Sequence, residues 1–239
     1  MDDVVYLRLS RPDPDLVARA SRIAVSDLYE ALPADLRDRA LMNSRIRPLL
    51  PGIRVAGPAV TARCAPGDNL MMHKALLLAQ GGDVLVVDAG EPSGAQWGYL
   101  AAVYANKKKL AGVVVEGCIR DADELVACRS AVWFREISPA HPTKRGPGAV
   151  NVPVRCGDVL VHPGDLVCAD GDGVLVVPQR HLEATILAAE ARAKDEAAAI
   201  EAIEAGQSLF ELHGLERAFE ASETKVIDAV WAEEHKKSL

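Results

Sequence analysis

The pattern of apolar and polar positions changes character along the chain. Residues 13–31, DPDLVARASRIAVSDLYEA, carry apolar residues at helical spacing, broken between Ser21 and Ser26, and Ser26 is the expected cap of the second piece. Arg45 to Gly57 is a connector punctuated by Pro and Gly. From there strand-like and helix-like segments take turns. Strands are expected over 56–65, 83–89 (DVLVVDA), 111–117 (AGVVVEG) and 130–138. Helices are expected over 67–80, opened by Asp68 or Asn69, over 98–110 and over 120–128. The runs at 83–89 and 111–117 are apolar without alternation, the mark of strands covered on both faces. This β/α alternation predicts an α/β core of parallel strands with right-handed crossovers.

Beyond residue 148 the pattern shortens. Residues 149–178 hold brief β-like pieces separated by Gly-Asp at 157–158, 164–165 and 171–172, which suits a small antiparallel meander or a barrel-like sheet. From Gln179 the chain reads as helical up to a stop at Gly206, followed by a further helical piece, SLFELHGLERAFEA. The long helix has charged residues on one stripe and only small or scattered apolar residues on the other. It is expected to pack on a neighbouring subunit, with a solvated tail as the other reading. Residues 1–178 are thus read as an α/β core and 179–239 as a helical extension.

Composition narrows the function. Hydrophobic residues make up 49% but aromatic ones only 4%, so the core must be built from Val, Leu, Ile and Ala. A net charge of −7 argues against a nucleic-acid binder, which needs a basic face. No apolar run approaches the roughly 20 residues that span a bilayer, and the N-terminus lacks a basic-then-apolar leader pattern, so a cytoplasmic protein without a membrane partner is expected. The five cysteines form no CxxC pair and read as buried, reduced thiols. His73 falls in a mostly apolar helix and reads as a core histidine. His141, His162, His181 and His213 show no zinc-ligand spacing. Nucleotide-binding glycine motifs and a GxSxG elbow are absent.

In open α/β sheets ligands gather at the C-terminal ends of parallel strands. Two strand ends stand out. One leads from Asp88-Ala89-Gly90 to Gly98-Tyr99-Leu100-Ala101, where free N–H groups at a helix start could hold a carboxylate; it is also an ordinary turn. The other is Glu116-Gly117-Cys118-Ile119-Arg120-Asp121. Asp121 could be a simple first-turn acid and Arg120 a surface cation. Equally, one carboxylate plus waters can hold Mg²⁺ or Mn²⁺, and a guanidinium beside it can grip an oxyanion through two bonds.

Taken together, PGDNLMMHKAL, GDVLVVDAG, GYLAA, AGVVVEGCIRD and VNVPVRCGDVLVHPGDLVCADGDGVLVVP, in this order and spacing over about residues 20–215, resemble the 4-hydroxy-4-methyl-2-oxoglutarate / 4-carboxy-4-hydroxy-2-oxoadipate aldolases. That family also includes the regulators of ribonuclease E activity. The resemblance implies a β/β/α sandwich-like core assembled as a homotrimer or homohexamer. It implies a divalent metal, Mg²⁺ or Mn²⁺, on Asp121 and a 2-oxo acid bound by Arg120. It further implies substrate-carboxylate binding by the backbone of Gly98, Tyr99, Leu100 and Ala101, and a Glu from a neighbouring subunit's C-terminal helix, best matched by Glu196.

One position departs from the family pattern: Tyr99 stands where an acid opens the helix. The implied chemistry is cleavage of a 4-hydroxy-2-oxo diacid to pyruvate and a second oxo acid through a pyruvate enolate, with Arg120 adding charge where the enolate oxygen develops. Oxaloacetate decarboxylation would use the same enolate. Two alternatives remain. One is a related lyase whose substrate is set by Tyr99; the other is a non-catalytic interaction protein like the ribonuclease regulators. The long C-terminal helices and the intact Arg-Asp pair count against the second.

Overall fold

The computed structural model describes residues 2–90 and 93–231. It divides into two compact units, 1–192 and 193–239. The first opens with three short helices, α1 (Pro14–Ala20), α2 (Val25–Ala31) and α3 (Ala34–Ala40). Then come β1 (Arg47–Pro48), β2 (Val55–Cys64), α4 (Leu70–Leu78), β3 (Val84–Asp88), β4 (Ala95–Trp97), α5 (Tyr99–Lys108), β5 (Gly112–Ile119), α6 (Ala122–Ala127) and β6 (Val132–Ile137). Five short strands follow: β7 (Gly148–Val150), β8 (Val154–Cys156), β9 (Val159–Val161), β10 (Leu166–Ala169) and β11 (Val174–Val177). A 3₁₀ turn, Gln179–His181, leads into α7 (Leu182–Glu204), whose later turns belong to the second unit with α8 (Leu209–Leu212) and α9 (Glu216–Ala221).

The α/β reading holds. A curled mixed sheet runs in the order β1-β6-β5-β3-β2-β10-β11, and β2, β3, β5 and β6 are mutually parallel along it. Val84 to Val87 and Val113 to Val115 are fully covered, which explains their lack of alternation. Leu85, Val87, Val113 and Val115 face α4 and α5, packing on Met72, Leu76, Trp97 and Ala102. Val84, Val86 and Val114 face the opposite way, onto Val154, Val159, Val167 and Val174. A third cluster joins α1–α3 to β10, β11 and the first turns of α7 through Leu28, Leu32, Leu175, Leu182 and Ile186. The helical extension therefore begins as part of the core: Leu182, Thr185, Ile186 and Ala189 are buried.

The short strands differ in detail from a free-standing meander. β8 and β9 form a separate antiparallel hairpin, turned at Gly157 and Asp158, both with positive φ, the geometry of a type I′ turn. The β10–β11 hairpin instead extends the main sheet, with β10 antiparallel to β2, and β7 pairs with β2 as well. Ser26 is not a cap. α2 starts one residue earlier, and the Val25 N–H donates to the Asp170 carboxylate at 3.0 Å, a long-range substitute for a local cap. α3 and β4 have no counterpart in the sequence reading. His73 is exposed, because Met72, Ala75, Leu76 and Ala79 form the buried stripe of their segment and His73 falls off it. None of the five cysteines is in a disulfide; four are buried and Cys128 is half-buried. Burial pushes the Cys64 and Cys168 thiols up to about 12, which leaves them unreactive at neutral pH.

In the second unit Gly206, at φ 98°, ends α7 as expected, and Ser208 opens α8 with a reciprocal capping box to Glu211. Among the described residues no helix is long and apolar enough to cross a membrane.

Candidate active site

The Arg120–Asp121 pair is built by strand pairing. β3 occupies the edge of β5 only as far as Glu116; beyond that point β4 takes over the same edge, aligning Ala95 with Cys118 and Trp97 with Ile119. The ladder continues one bond further, from Arg120 N–H to the Trp97 carbonyl at 2.9 Å. The residue after Trp97, Gly98, is thereby laid against Arg120 and Asp121. A methyl at Gly98 would sit 2.7 Å from Asp121 Oδ2 and 3.1 Å from Arg120 Cγ, so any side chain here would displace the Asp121 carboxylate and the Arg120 stem. Its φ of −160° is open to any residue; space, and not backbone strain, is what restricts this position.

Asp121 has φ 57° and ψ 45°, a left-handed conformation that Asp tolerates better than most residues. It precedes α6 without capping it. Its carboxylate turns to α5 instead, where Oδ2 accepts from the Tyr99 N–H at 3.0 Å, while Arg120 Nε lies 3.7 Å from the same oxygen. Among the described residues Oδ1 has no protein partner. The two side chains are 36% and 37% exposed, so a small molecule can reach them. Arg120 Nη1 also meets His141 Nδ1 at 3.3 Å.

The structure thus brings Gly98, Tyr99, Arg120 and Asp121 together. Leu100 and Ala101 follow in the first turn of α5, Leu100 being 82% exposed. Of the loop N–H groups, that of Tyr99 is already engaged by Asp121, which leaves those of Gly98, Leu100 and Ala101. The Tyr99 side chain is partly exposed and its phenol makes no hydrogen bond among the described residues. Glu196 lies in the second unit on an exposed stretch of α7. His141, passed over as a scattered histidine, stands beside Arg120; no sequence spacing links the two, since the contact depends on the loop after β6.

Asp121 with one unengaged carboxylate oxygen suits a hard cation held mainly by water and substrate oxygens. Among the described residues no three His, Cys, Asp or Glu side chains gather there.

Two other polar clusters serve the fold. Glu116 accepts from Arg135 Nη1 at 2.9 Å and from the Gly157 N–H at 2.6 Å. Its register partner Asp88 accepts from the N–H groups of Gly90 and Arg155. Burial first, and the charge of Glu116 besides, pushes the Asp88 carboxyl up. The pair ties the β8–β9 hairpin to the strand ends. Asp68 is buried, which alone would raise its carboxyl, but donors from Thr143, Arg145, Leu70 and Gly146 outweigh this and hold it at about 2. A cavity of 660 Å³ bounded by α3, β9 and the 3₁₀ turn shares no residue with the Asp121 cluster.

Residues 25–176 match the RraA-like family, described as Aldolase/RraA. A Halalkalibacterium halodurans protein named "Putative 4-hydroxy-4-methyl-2-oxoglutarate aldolase" is 35% identical over 196 residues, covering 82% of this chain and 91% of that protein. Streptomyces coelicolor RraAS2, described as an unusual member of the RNase ES inhibitor RraA protein family, superposes with a TM-score of 0.72 at 32% identity, covering 80% of this chain and 98% of that one. An uncharacterized Pseudomonas syringae protein reaches a TM-score of 0.75 at 26% identity over 85% and 95% of the two chains. With its fold, its strand-end Arg-Asp pair and these matches, the chain belongs to the RraA-like family.

Proposed function

We propose that the protein is a divalent-metal-dependent lyase that cleaves a 4-hydroxy-2-oxo diacid to pyruvate and a second oxo acid, and that also decarboxylates oxaloacetate. One observation carries the reading: Gly98 and Tyr99 are clasped against Arg120 and Asp121 so that a guanidinium, a free carboxylate oxygen and a helix start converge on one accessible spot. Asp121 Oδ1 would hold Mg²⁺ or Mn²⁺, with Glu196 of a second copy supporting its waters in a homotrimer or homohexamer. Bound there, the cation supplies Lewis acidity to a 2-oxo acid.

The chain's own groups do the rest. The Arg120 guanidinium binds the keto-acid oxygens and stabilises the negative charge that grows on the keto oxygen. The Leu100 and Ala101 N–H groups, at the positive end of α5, receive the substrate carboxylate. As the C4 hydroxyl gives up its proton to a base, the C4–O bond gains double-bond character and the C3–C4 bond breaks. The electron pair passes to the pyruvyl part as an enolate, and protonation at C3 then gives pyruvate. In oxaloacetate the breaking bond leads to CO₂ and the same enolate forms. Tyr99, in place of an acid, supplies a phenol and selects the substrate or carries a proton.

The names of the aldolase relatives favour this reading. Chain length does not separate it from the ribonuclease-regulator reading, since the Halalkalibacterium halodurans relative and RraAS2 match similar shares of the chain, 82% and 80%; the Arg-Asp geometry is what favours catalysis. The test is pyruvate release from 4-hydroxy-4-methyl-2-oxoglutarate and oxaloacetate, before and after chelation and with Mn²⁺ restored. Activity that falls on chelation and returns with Mn²⁺ supports the proposal. No pyruvate under any condition, together with inhibition of ribonuclease E, would establish the interaction protein instead. Arg120→Lys should lose much of kcat/KM while keeping its charge, since two-point oxyanion binding is lost.

A further inference from the structure

Within that lyase reading, on which this step rests, we infer that His141 is the positioning residue that fixes the Arg120 guanidinium for its substrate. A guanidinium has five N–H donors and no acceptor, so at the 3.3 Å contact His141 Nδ1 must be the acceptor and Nε2 must carry the ring proton. Arg120 is then held at two points: its Nε side by Asp121 Oδ2 at 3.7 Å and its Nη1 by His141. Nη2 and the second N–H of Nη1 keep no protein partner among the described residues. They form the forked edge that a carboxylate or an enolate oxygen can take.

The chain around His141 is anchored on both sides. Before it, the Ala140 carbonyl accepts from the Ala95 N–H at 3.0 Å, and Ala95 lies on β4, the strand that delivers Gly98 to the site. After it comes Pro142, which is buried and has a fixed φ. Thr143 next donates its N–H to the Gly67 carbonyl at 2.8 Å and accepts from Asn69 N–H at 3.0 Å. The buried Asp68 carboxylate then collects Thr143 Oγ1 at 2.6 Å and the N–H groups of Arg145 and Gly146 at 2.6 and 2.8 Å. Gly146 packs so closely that an added methyl would lie 2.9 Å from Asp68 Cγ. This loop therefore presents His141 from a fixed backbone, and its imidazole needs only rotamer ordering to hold Arg120.

The inference is tested with two substitutions of opposite meaning. His141→Asn places an amide oxygen where Nδ1 accepts; His141→Leu removes the acceptor and keeps bulk. Affinity for oxalate, a planar mimic of the pyruvate enolate, is measured by calorimetry in saturating Mn²⁺, alongside steady-state kinetics. His141→Leu should weaken oxalate by about 5–20-fold, at and below the low end for one hydrogen bond to a charged group because the Arg120 side chain is over a third exposed, and lower kcat/KM similarly. His141→Asn should stay within about twofold, and Mn²⁺ affinity should not change in either. In an Arg120→Ala background, His141→Leu should have no further effect on oxalate. An unchanged His141→Leu, an Asn variant as weak as Leu, an additive effect without Arg120, or a wild type that binds no oxalate would each overturn the inference. Wild type that binds oxalate but never forms pyruvate would refute the lyase reading alone, because the oxalate comparison still reads the role of His141.

Discussion

Gly98→Ala perturbs the proposed site at one atom. The added methyl would stand 2.7 Å from Asp121 Oδ2 and 3.1 Å from Arg120 Cγ, well inside ordinary contact. Ala adopts the extended backbone of Gly98 freely, so the fold has little reason to yield; the Asp121 carboxylate and the Arg120 stem must move instead. A shift of several tenths of an ångström stretches the 3.0 Å bond from the Tyr99 N–H, a charge-assisted bond worth about 1.5–3 kcal/mol when well shielded and less here, where Asp121 is over a third exposed. Misplacing catalytic groups by about 1 Å costs on the order of 100-fold. The expected fall in kcat/KM is therefore about 10–100-fold, or roughly 1.4–2.7 kcal/mol of transition-state stabilisation. The melting temperature should stay within about 4 °C, as expected for a change that costs under about 1 kcal/mol of stability. The assay is pyruvate release coupled to lactate dehydrogenase, with thermal denaturation as the control. A Gly98→Ala enzyme with wild-type kcat/KM would refute the claim that this loop fixes Asp121 for catalysis.

Three further outcomes are expected. Tyr99→Asp should abolish the native reaction and Tyr99→Phe should impair it; raised Mn²⁺ affinity and faster pyruvate release in Tyr99→Asp would instead show that Tyr99 is a lost acid. Truncation after Arg192 should leave the first unit folded by circular dichroism but reduce both the mass in light scattering and the activity, since it removes Glu196; truncation after Pro178 would also strip Leu182 and Ile186 from the core. Asp68 should stabilise the fold above its unfolded pKa near 3.8, by roughly 2 kcal/mol for a carboxyl held at about 2, and that contribution should vanish as pH falls from about 4 to about 2. Urea denaturation of wild type and Asp68→Asn across that window checks it: the gap between them should narrow on acidification, and a constant gap would contradict the assignment.

The elements most readable in the sequence were those whose residues serve the core directly. β3 and β5 announce themselves because Val84–Val87 and Val113–Val115 are covered on both faces. β4 was not readable, since three residues, Ala95–Trp97, become a strand only by inheriting the edge of β5 from β3. α3, ADLRDRA, buries only Ala40 and so carries no apolar stripe to detect. The docking of β10 on β2 is a long-range pairing that the hairpin's own alternation does not encode. At the site, Arg120 and Asp121 were visible as a charged pair at a strand end. The tight packing of Gly98 on Asp121 and the contact of His141 with Arg120 arise from separate loops meeting, and local patterns do not report that. His73 misled for a simpler reason: an apolar helix still has an outer face, and residue 73 lies on it.

Mn²⁺ binding to Asp121 is the most direct test of the account. A titration followed by electron paramagnetic resonance, comparing wild type with Asp121→Asn, isolates the one carboxylate oxygen left unengaged, because Asn keeps the size of the side chain and removes the charge. Saturable binding by wild type, weakened at least about tenfold in Asp121→Asn, is the expected result, in line with the loss of a sole protein carboxylate from such a site. Equal affinity in the two proteins would place the cation elsewhere and contradict the proposed centre of the lyase.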